Sequence, residues 1–435
     1  MLFRNISIVD ENFEVKSGVN VLVEEDRIAF IGENLPSDDR ESFGDIIDGT
    51  GKLLIPGFVN AHGHSPMVLM RGYGENMSLQ DWLFNRIFPF EDRLTSEAVY
   101  WGTLLSMAES LKFGIVSTSD MYYFCEDMVR AILDSGAKNN LSRSISKMDD
   151  SPFDEFKAVK ELKALVSRYQ GAGDGKLIIE SSLHAEYTNN EDAAISLAQL
   201  AKDMGLRMHV HVSETKHEHQ ECKERHGGRT PVKYLSDCGI FNVPSLAAHC
   251  VWVEDEDIEI LKEKNVFVVT NPVSNLKLAS GVCDVKKLMD NGIIVALGTD
   301  SSASNNNLSI FEEMKTMSLL AKVKHKDPTV ITPKEALAMA TVNGALAQGR
   351  NDCGLVKEGY KADLVMINLD TPNMAPTHDL LSNLVLAGTD REIEMTMVDG
   401  KILYERGEFK TIDIEETLAK VKESVEDILN RGNIN

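Results

Sequence analysis

The sequence predicts an α/β protein: a (β/α)8 barrel of the TIM type, with a small β-sandwich domain formed from both chain termini. Three observations predict it. Apolar strand-like runs alternate with amphipathic helical runs from Gly57 to Gly359. Eight such strand runs can be counted, the number that closes a parallel barrel. Short, turn-rich strands occupy the first 56 residues and return after Gly359.

The N-terminal strands are "LFRNISIVD", "VNVLVEEDRIAFIG" and "GDIIDGTGKLLIPG". The tail brings "KADLVMINL" and "EIEMTMVDGKILYERGEF", then a charged helix, "IEETLAKVKESVEDILNR". Each group alone is too small to bury a core, so residues 1–56 and 360–435 are expected to form one composite domain around the 57–359 barrel. The barrel strands, in order, are "LIPGFVNA" leading to His62 and His64, "GIVSTSD" ending at Asp120, "LSRSISK" and "KLIIESSL" ending at His184. Then come "RMHVHVS" ending at Glu214, "LAAHCVWV" around His249, "VFVVTNP", and "IIVALGTD" ending at Asp300. Helices such as "SEAVYWGTLLSMAESLKF", "EDAAISLAQLAKDMG" and "PKEALAMATVNGALAQG" lie between them, with apolar faces at helical spacing.

Bulk composition narrows the partners. A net charge of −23 over 435 residues repels nucleic acid and anionic membrane surfaces. The six cysteines include no C-x-x-C pair, as expected of reduced thiols in a cytoplasmic protein. No apolar run reaches the roughly 18–20 residues of a membrane span. The N-terminus lacks the apolar core of a signal peptide. A small-molecule substrate is the remaining class of partner, and a homo-oligomer is left open.

Barrel enzymes gather their polar side chains at the C-terminal strand ends. Three His-x-His pairs occur, so spacing alone proves little; position decides between them. His62 and His64 end the first strand, His211 the fifth and Asp300 the eighth. Residues i and i+2 of a strand share a side, so the first pair presents two imidazoles in one direction. Three imidazoles and a carboxylate suit one divalent metal ion, zinc first, with iron or manganese as alternatives. The competing reading for each is a hydrogen-bonded structural group. It weighs more for His249, which sits in an apolar run. His209 reads as barrel core one layer deeper. His217, His219 and His226, in "KHEHQECKERHGG", read as a solvated charged helix. Asp120 reads as a group that hydrogen-bonds a neighbouring loop. Trp82 and Phe84, in "LQDWLF", either wall a ring-binding pocket or pack as core. Glu91, in "FPFEDRL", carries no intrinsic signal.

Taken together, "PGFVNAHGH", "HVHVSET", "AAHCVWV" and "LGTDSSASNNNLSIFEEM" resemble the amidohydrolase superfamily. "LMRGYGENMSLQDWLFNRIFPFEDRLT" and "TNPVSNLKLASG" resemble its 5'-methylthioadenosine/S-adenosylhomocysteine deaminase branch. The resemblance implies one catalytic metal on His62, His64, His211 and Asp300. It implies Glu91 at the ribose hydroxyls, and His184 and Glu214 at the purine. For hydrolytic deamination of an adenine nucleoside, Asp300 is placed to take a proton from water, Glu214 to protonate N1 of the ring and His249 to hold the attacking oxygen. The fourth strand ends at His184, where two-metal relatives carry a bridging lysine. Arg143, expected to reach the substrate, precedes the loop "SKMDDSPFDEF", which lacks the second arginine often found in relatives that accept the S-adenosylhomocysteine tail. Asp149, Asp150 and Asp154 in that loop would repel a carboxylate, which favours a smaller 5'-group. Ser301 follows Asp300 where a glycine is common. The rival readings are an amidohydrolase acting on guanine, cytosine, a pterin or an s-triazine, and a barrel used without catalysis.

Overall fold

The computed structural model describes residues 1–35 and 43–431. Among them, eight parallel strands pair in strict chain order. They are Phe58–Gly63, Ile115–Tyr122, Lys138–Ile145, Leu177–Leu183, Met208–Val212, Ser245–His249, Phe267–Thr270 and Val295–Leu297. First and last meet where Gly63 bridges Asp300 and the Asp300 amide donates to the His62 carbonyl at 3.0 Å. Parallel neighbours need long crossovers, and the intervening helices supply them.

Several strands differ in extent from the sequence reading, the first and third among them. The run "LIPGFVNA" is not one strand. Lys52–Pro56 pairs antiparallel with Leu364–Asn368 in a second sheet, and only Phe58–Gly63 enters the barrel. The break falls at Gly57, where a Cβ would lie 2.3 Å from Val116 Cγ1. The third strand begins at Lys138, three residues before the apolar signal. Its Asn139 and Asn140 are fully buried and bond Asp120, Glu180 and the Gln348 carbonyl. Polar residues inside the barrel therefore conceal the strand's start.

Both ends of the chain build the second sheet, nine-stranded and mixed among the described residues. Leu2–Val9, Val15–Glu24 and Arg27–Gly32 lie on one side of Lys52–Pro56. Leu364–Asn368, Ile393–Val398, Lys401–Glu405 and Glu408–Phe409 lie on the other. A separate apolar cluster, including Phe3, Ile6, Val21, Leu54, Met366 and Met397, fills it. Residues 36–42 and 432–435, which the sequence reading assigns to this unit, lie outside the described residues. The closing helix, Ile414–Asn430, packs on the barrel helix Ser96–Lys112.

A buried ion pair ties the barrel floor to this sheet. Lys138 Nζ lies 2.5 Å from Asp363 and 2.7 Å from Asp399, and none of the three is more than 9% exposed. Replacing Lys138 with methionine leaves the buried Asp363 without its lysine and Asp399 with only Lys361 and Lys176, at 3.7 and 3.9 Å. It is expected to cost about 3–5 kcal/mol, read as a lowered unfolding midpoint.

Candidate active site

The C-terminal strand ends open into a cleft. His64, His211, Asp300, His249 and Glu214 line it, as do His184, Glu91 and Trp82. His62 lies beneath, fully buried, with its ring centroid 5.0 Å from those of His64 and His211 and 5.3 Å from that of His249.

The backbone aims several of these groups. His249 and Asp300 adopt left-handed conformations (φ +73° and +60°), as does Ser213 (φ +49°) just before Glu214. Non-glycine residues seldom do so, and such positions cluster at functional sites. The turn at His249 ends the sixth strand there, so "CVWV" does not continue it as the sequence suggested.

Hydrogen bonds fix the imidazoles. His64 Nδ1 donates to the Met121 carbonyl at 2.7 Å, and His211 Nδ1 to the His184 carbonyl at 2.6 Å. A neutral imidazole has one N–H, so each Nε2 keeps a free lone pair. His62 Nδ1 meets His209 Nε2 at 2.9 Å, and its Nε2 is buried with no hydrogen-bond partner. Asp300 Oδ1 stands 3.5 Å from His62 Nε2 and 3.2 Å from His64 Nε2. Two overlapping triads, His62/His64/Asp300 and His62/His211/His249, each hold their ligand atoms within 4.8 Å of one another. Bare nitrogens, a carboxylate oxygen and outward-bonded Nδ1 groups are a donor set that fits a divalent ion.

At His62 and His211, protonation agrees with that fit. Burial drives His62 down to about 3 and His211 well below its ordinary value, so both are neutral, as ligands must be. Burial also lowers His64, but its hydrogen bond to Asp300 carries it above the usual value. Burial raises Asp300, yet the His62 and His64 imidazoles beside it hold it well below the carboxylate range. Burial raises Glu214 despite the opposing His249, whose Nε2 lies 3.8 Å away. Glu91 is pushed up to about 7 by burial, against a 2.6 Å bond from the Tyr122 hydroxyl.

Two other residues fall differently. Trp82 is buried and lines the cleft, whereas Phe84 is exposed. Arg143 does not line the cleft. It faces an adjoining space of about 760 Å³ that also touches Glu91 and Tyr123. There its Nε donates to Glu161 at 2.6 Å and its guanidinium lies 5.1 Å from the Tyr123 ring. Asp149 and Asp154 pair with Lys147 and Lys163. With Asp150, they line neither space, so their expected repulsion of a substrate tail has no geometric basis.

Sequence reasoning missed several partners. His209, read as core, is the group that holds His62. Asn271 and Asn275 hold His249 at 3.2 and 2.8 Å, and Ser280 reaches Glu214 at 3.3 Å. Their signal was the polar run after the seventh strand. In the charged helix Lys216–Arg225, His219 is buried against Glu254, and His226 and Cys222 meet Glu186. Both Glu186 oxygens are engaged by Arg225 and His226, and burial keeps Cys222 a neutral thiol. That cluster is an ion-pair network. Asp120 accepts the Ser65 amide at 2.6 Å and so braces the loop after His64.

Residues 53–403 match the Amidohydrolase family. The chain belongs to that family. It is 41% identical to a 5-methylthioadenosine/S-adenosylhomocysteine deaminase of Caldanaerobacter subterraneus subsp. tengcongensis, over 100% of this chain and 99% of the relative. It is 38% identical to one of the same name from Dictyoglomus turgidum, over 99% of each. In structure it resembles an adenosine deaminase from Xanthomonas campestris with bound zinc, with TM-score 0.92, 28% identity and coverage of 99% and 98%. A zinc-bound atrazine chlorohydrolase from Arthrobacter aurescens, with TM-score 0.88, 22% identity and coverage of 98% and 99%, shares the fold. As an amidohydrolase, the chain has the barrel-plus-terminal-sheet architecture that its own sequence predicts.

Proposed function

We propose that this chain is a metal-dependent hydrolytic deaminase of an adenine nucleoside, releasing ammonia and an inosine-type product. The observation that carries the reading is two ligand triads that share His62, one with His64 and Asp300 and one with His211 and His249, beside Glu214 in a cleft that Glu91 also lines. The names of its full-length relatives support the substrate class.

His62, His64, His211 and Asp300 would hold one divalent ion, zinc by analogy with the structural neighbour. Such an ion, when bound, lowers the pKa of water from 15.7 toward about 7. Asp300 takes the proton from the attacking water. Glu214, whose carboxyl burial raises against the pull of His249, gives a proton to N1 of the adenine ring, which opens C6 to attack. His249 holds the oxygen as charge develops on it. The proton held by Asp300 passes to the exocyclic nitrogen, the C6–N bond breaks to release ammonia, and the remaining hydroxyl proton returns to Glu214 as the C6 carbonyl of the inosine-type product forms. His184 borders the purine, and Trp82 offers an apolar face to the ring. Glu91 accepts the ribose hydroxyls, with Tyr122 fixing its orientation.

Arg143 sits outside the cleft with Glu161 already on its guanidinium, which supports a compact 5'-group such as 5'-methylthio or 5'-deoxy over a tail ending in a carboxylate. The site works as a small-molecule site in a cytoplasmic enzyme. No described helix is long and apolar enough to cross a membrane, and all six cysteines are free and buried.

The test is a panel of adenosine, 5'-deoxyadenosine, 5'-methylthioadenosine, S-adenosylhomocysteine, adenine and guanine, followed by ammonia release. Turnover of the nucleosides is expected. Turnover confined to guanine or adenine would overturn the reading. Glu91→Gln is expected to raise KM for nucleosides about 10–100-fold while binding of free adenine is unchanged, since a lost buried hydrogen-bonding charge is worth about 1.5–3 kcal/mol.

A further inference from the structure

Asp300 is held more firmly than a simple ligand needs. Its Oδ2 accepts the Ser274 hydroxyl at 2.6 Å and the Ser304 hydroxyl at 2.8 Å, while its Oδ1 faces the bare nitrogens of His62 and His64. The two serines come from different loops. Ser274 lies in the short helix Pro272–Lys277 after the seventh strand, and Ser304 in Ser302–Asn305 after the eighth. Both are buried. Ser301 extends the chain of hydroxyls, with its Oγ 3.0 Å from Ser304 Oγ and accepting the Ser304 amide at 3.0 Å.

A third element joins the loops from outside the cleft. Glu313, on helix Ile310–His325, is fully buried. One of its oxygens accepts the Val273 amide at 3.0 Å, and the other accepts Asn305 Nδ2 at 2.6 Å. Val273 and Asn305 are the immediate neighbours of Ser274 and Ser304. Asn305 Nδ2 also donates to the Thr299 carbonyl at 2.8 Å, beside Asp300 itself. One buried carboxylate therefore sets the separation of the two hydroxyls that grip another.

We propose that Ser274 and Ser304, spaced by Glu313, are positioning residues that fix which oxygen of Asp300 faces the histidines. A carboxylate turns about its Cβ–Cγ bond and offers either oxygen, or both. Two hydroxyl donors on Oδ2 occupy that oxygen and stop the turn, so Oδ1 alone is presented to an ion and to the attacking water. Outer partners of this kind orient a ligand, and their loss typically costs about 10–100-fold in metal affinity or activity. The inference rests on the metal-centre reading above.

The experiment follows zinc loss from the zinc-loaded protein to an excess of chelator, together with kcat and KM for 5'-methylthioadenosine. Ser274→Ala/Ser304→Ala is expected to release zinc about 10–100-fold faster than the parent and to lose kcat by a similar factor, with KM changed less than about 3-fold. Each single variant is expected to give part of this effect, and Glu313→Gln, which keeps the volume but replaces one acceptor by a donor, is expected to give the same split. Ser304→Thr retains the hydroxyl and is expected to release zinc at the parent rate. Parent-like zinc release in both single alanine variants would overturn the proposal, whether or not the double variant folds. So would Ser304→Thr behaving like Ser304→Ala, since packing would then be the cause. A parent protein that binds no metal would instead remove the metal-centre reading beneath it.

Discussion

Replacing His211 with alanine is expected to remove metal and turnover together. His211 enters from the fifth strand, opposite the His62/His64 pair, and its Nδ1 is committed to the His184 carbonyl, so its whole contribution to the centre is one Nε2 lone pair. Alanine supplies no donor in its place. A metal ion contributes several kcal/mol to stabilising the charge that develops in such reactions, and each 1.36 kcal/mol is a factor of ten in rate. Loss of at least about 1,000-fold in kcat/KM is therefore expected, with metal analysis falling to background. Full metal occupancy in the variant would discredit His211 as a ligand.

Glu214→Gln separates metal binding from proton transfer. The side chain is buried, its carboxyl is raised by that burial, and Ser280 is its hydrogen-bond donor. Glutamine matches its shape and cannot give up a proton. The variant is expected to keep its metal and lose about 10² to 10⁴-fold in kcat. The pH profile gives a second readout. The acid form is the working one, so parent activity is expected to fall as pH rises through the raised Glu214 pKa, and this alkaline limb is expected to vanish in the variant. Undiminished turnover would remove Glu214 from the mechanism.

What the sequence made legible follows from periodicity. Apolar runs found all eight barrel strands, because strands covered by helices on the outside carry a strong apolar signal. Polar residues at the strand ends then located His62, His64, His184, His211, Glu214, His249 and Asp300, all of which surround one cleft. The signal failed where polar groups are buried in networks. Asn139 and Asn140 hid the start of the third strand, and His209 passed for core although it holds His62. Ser274, Ser304 and Glu313 are equally silent, since each bonds a group distant in the chain and matches no local pattern. Arg143 misled for a related reason. Alternation along a strand says which side a residue faces, but it does not reveal that Glu161, 18 residues later, already occupies the guanidinium.

The convergence of His62, His64, His211 and Asp300 on one ion is the claim on which the rest depends. Anomalous diffraction at the zinc edge, from crystals of the zinc-loaded protein, tests it directly. One strong peak is expected at the mouth of the barrel, about 2.0–2.2 Å from Nε2 of the three histidines and from Oδ1 of Asp300. A peak at Glu186, Cys222 and His226 with none at the barrel mouth would contradict it.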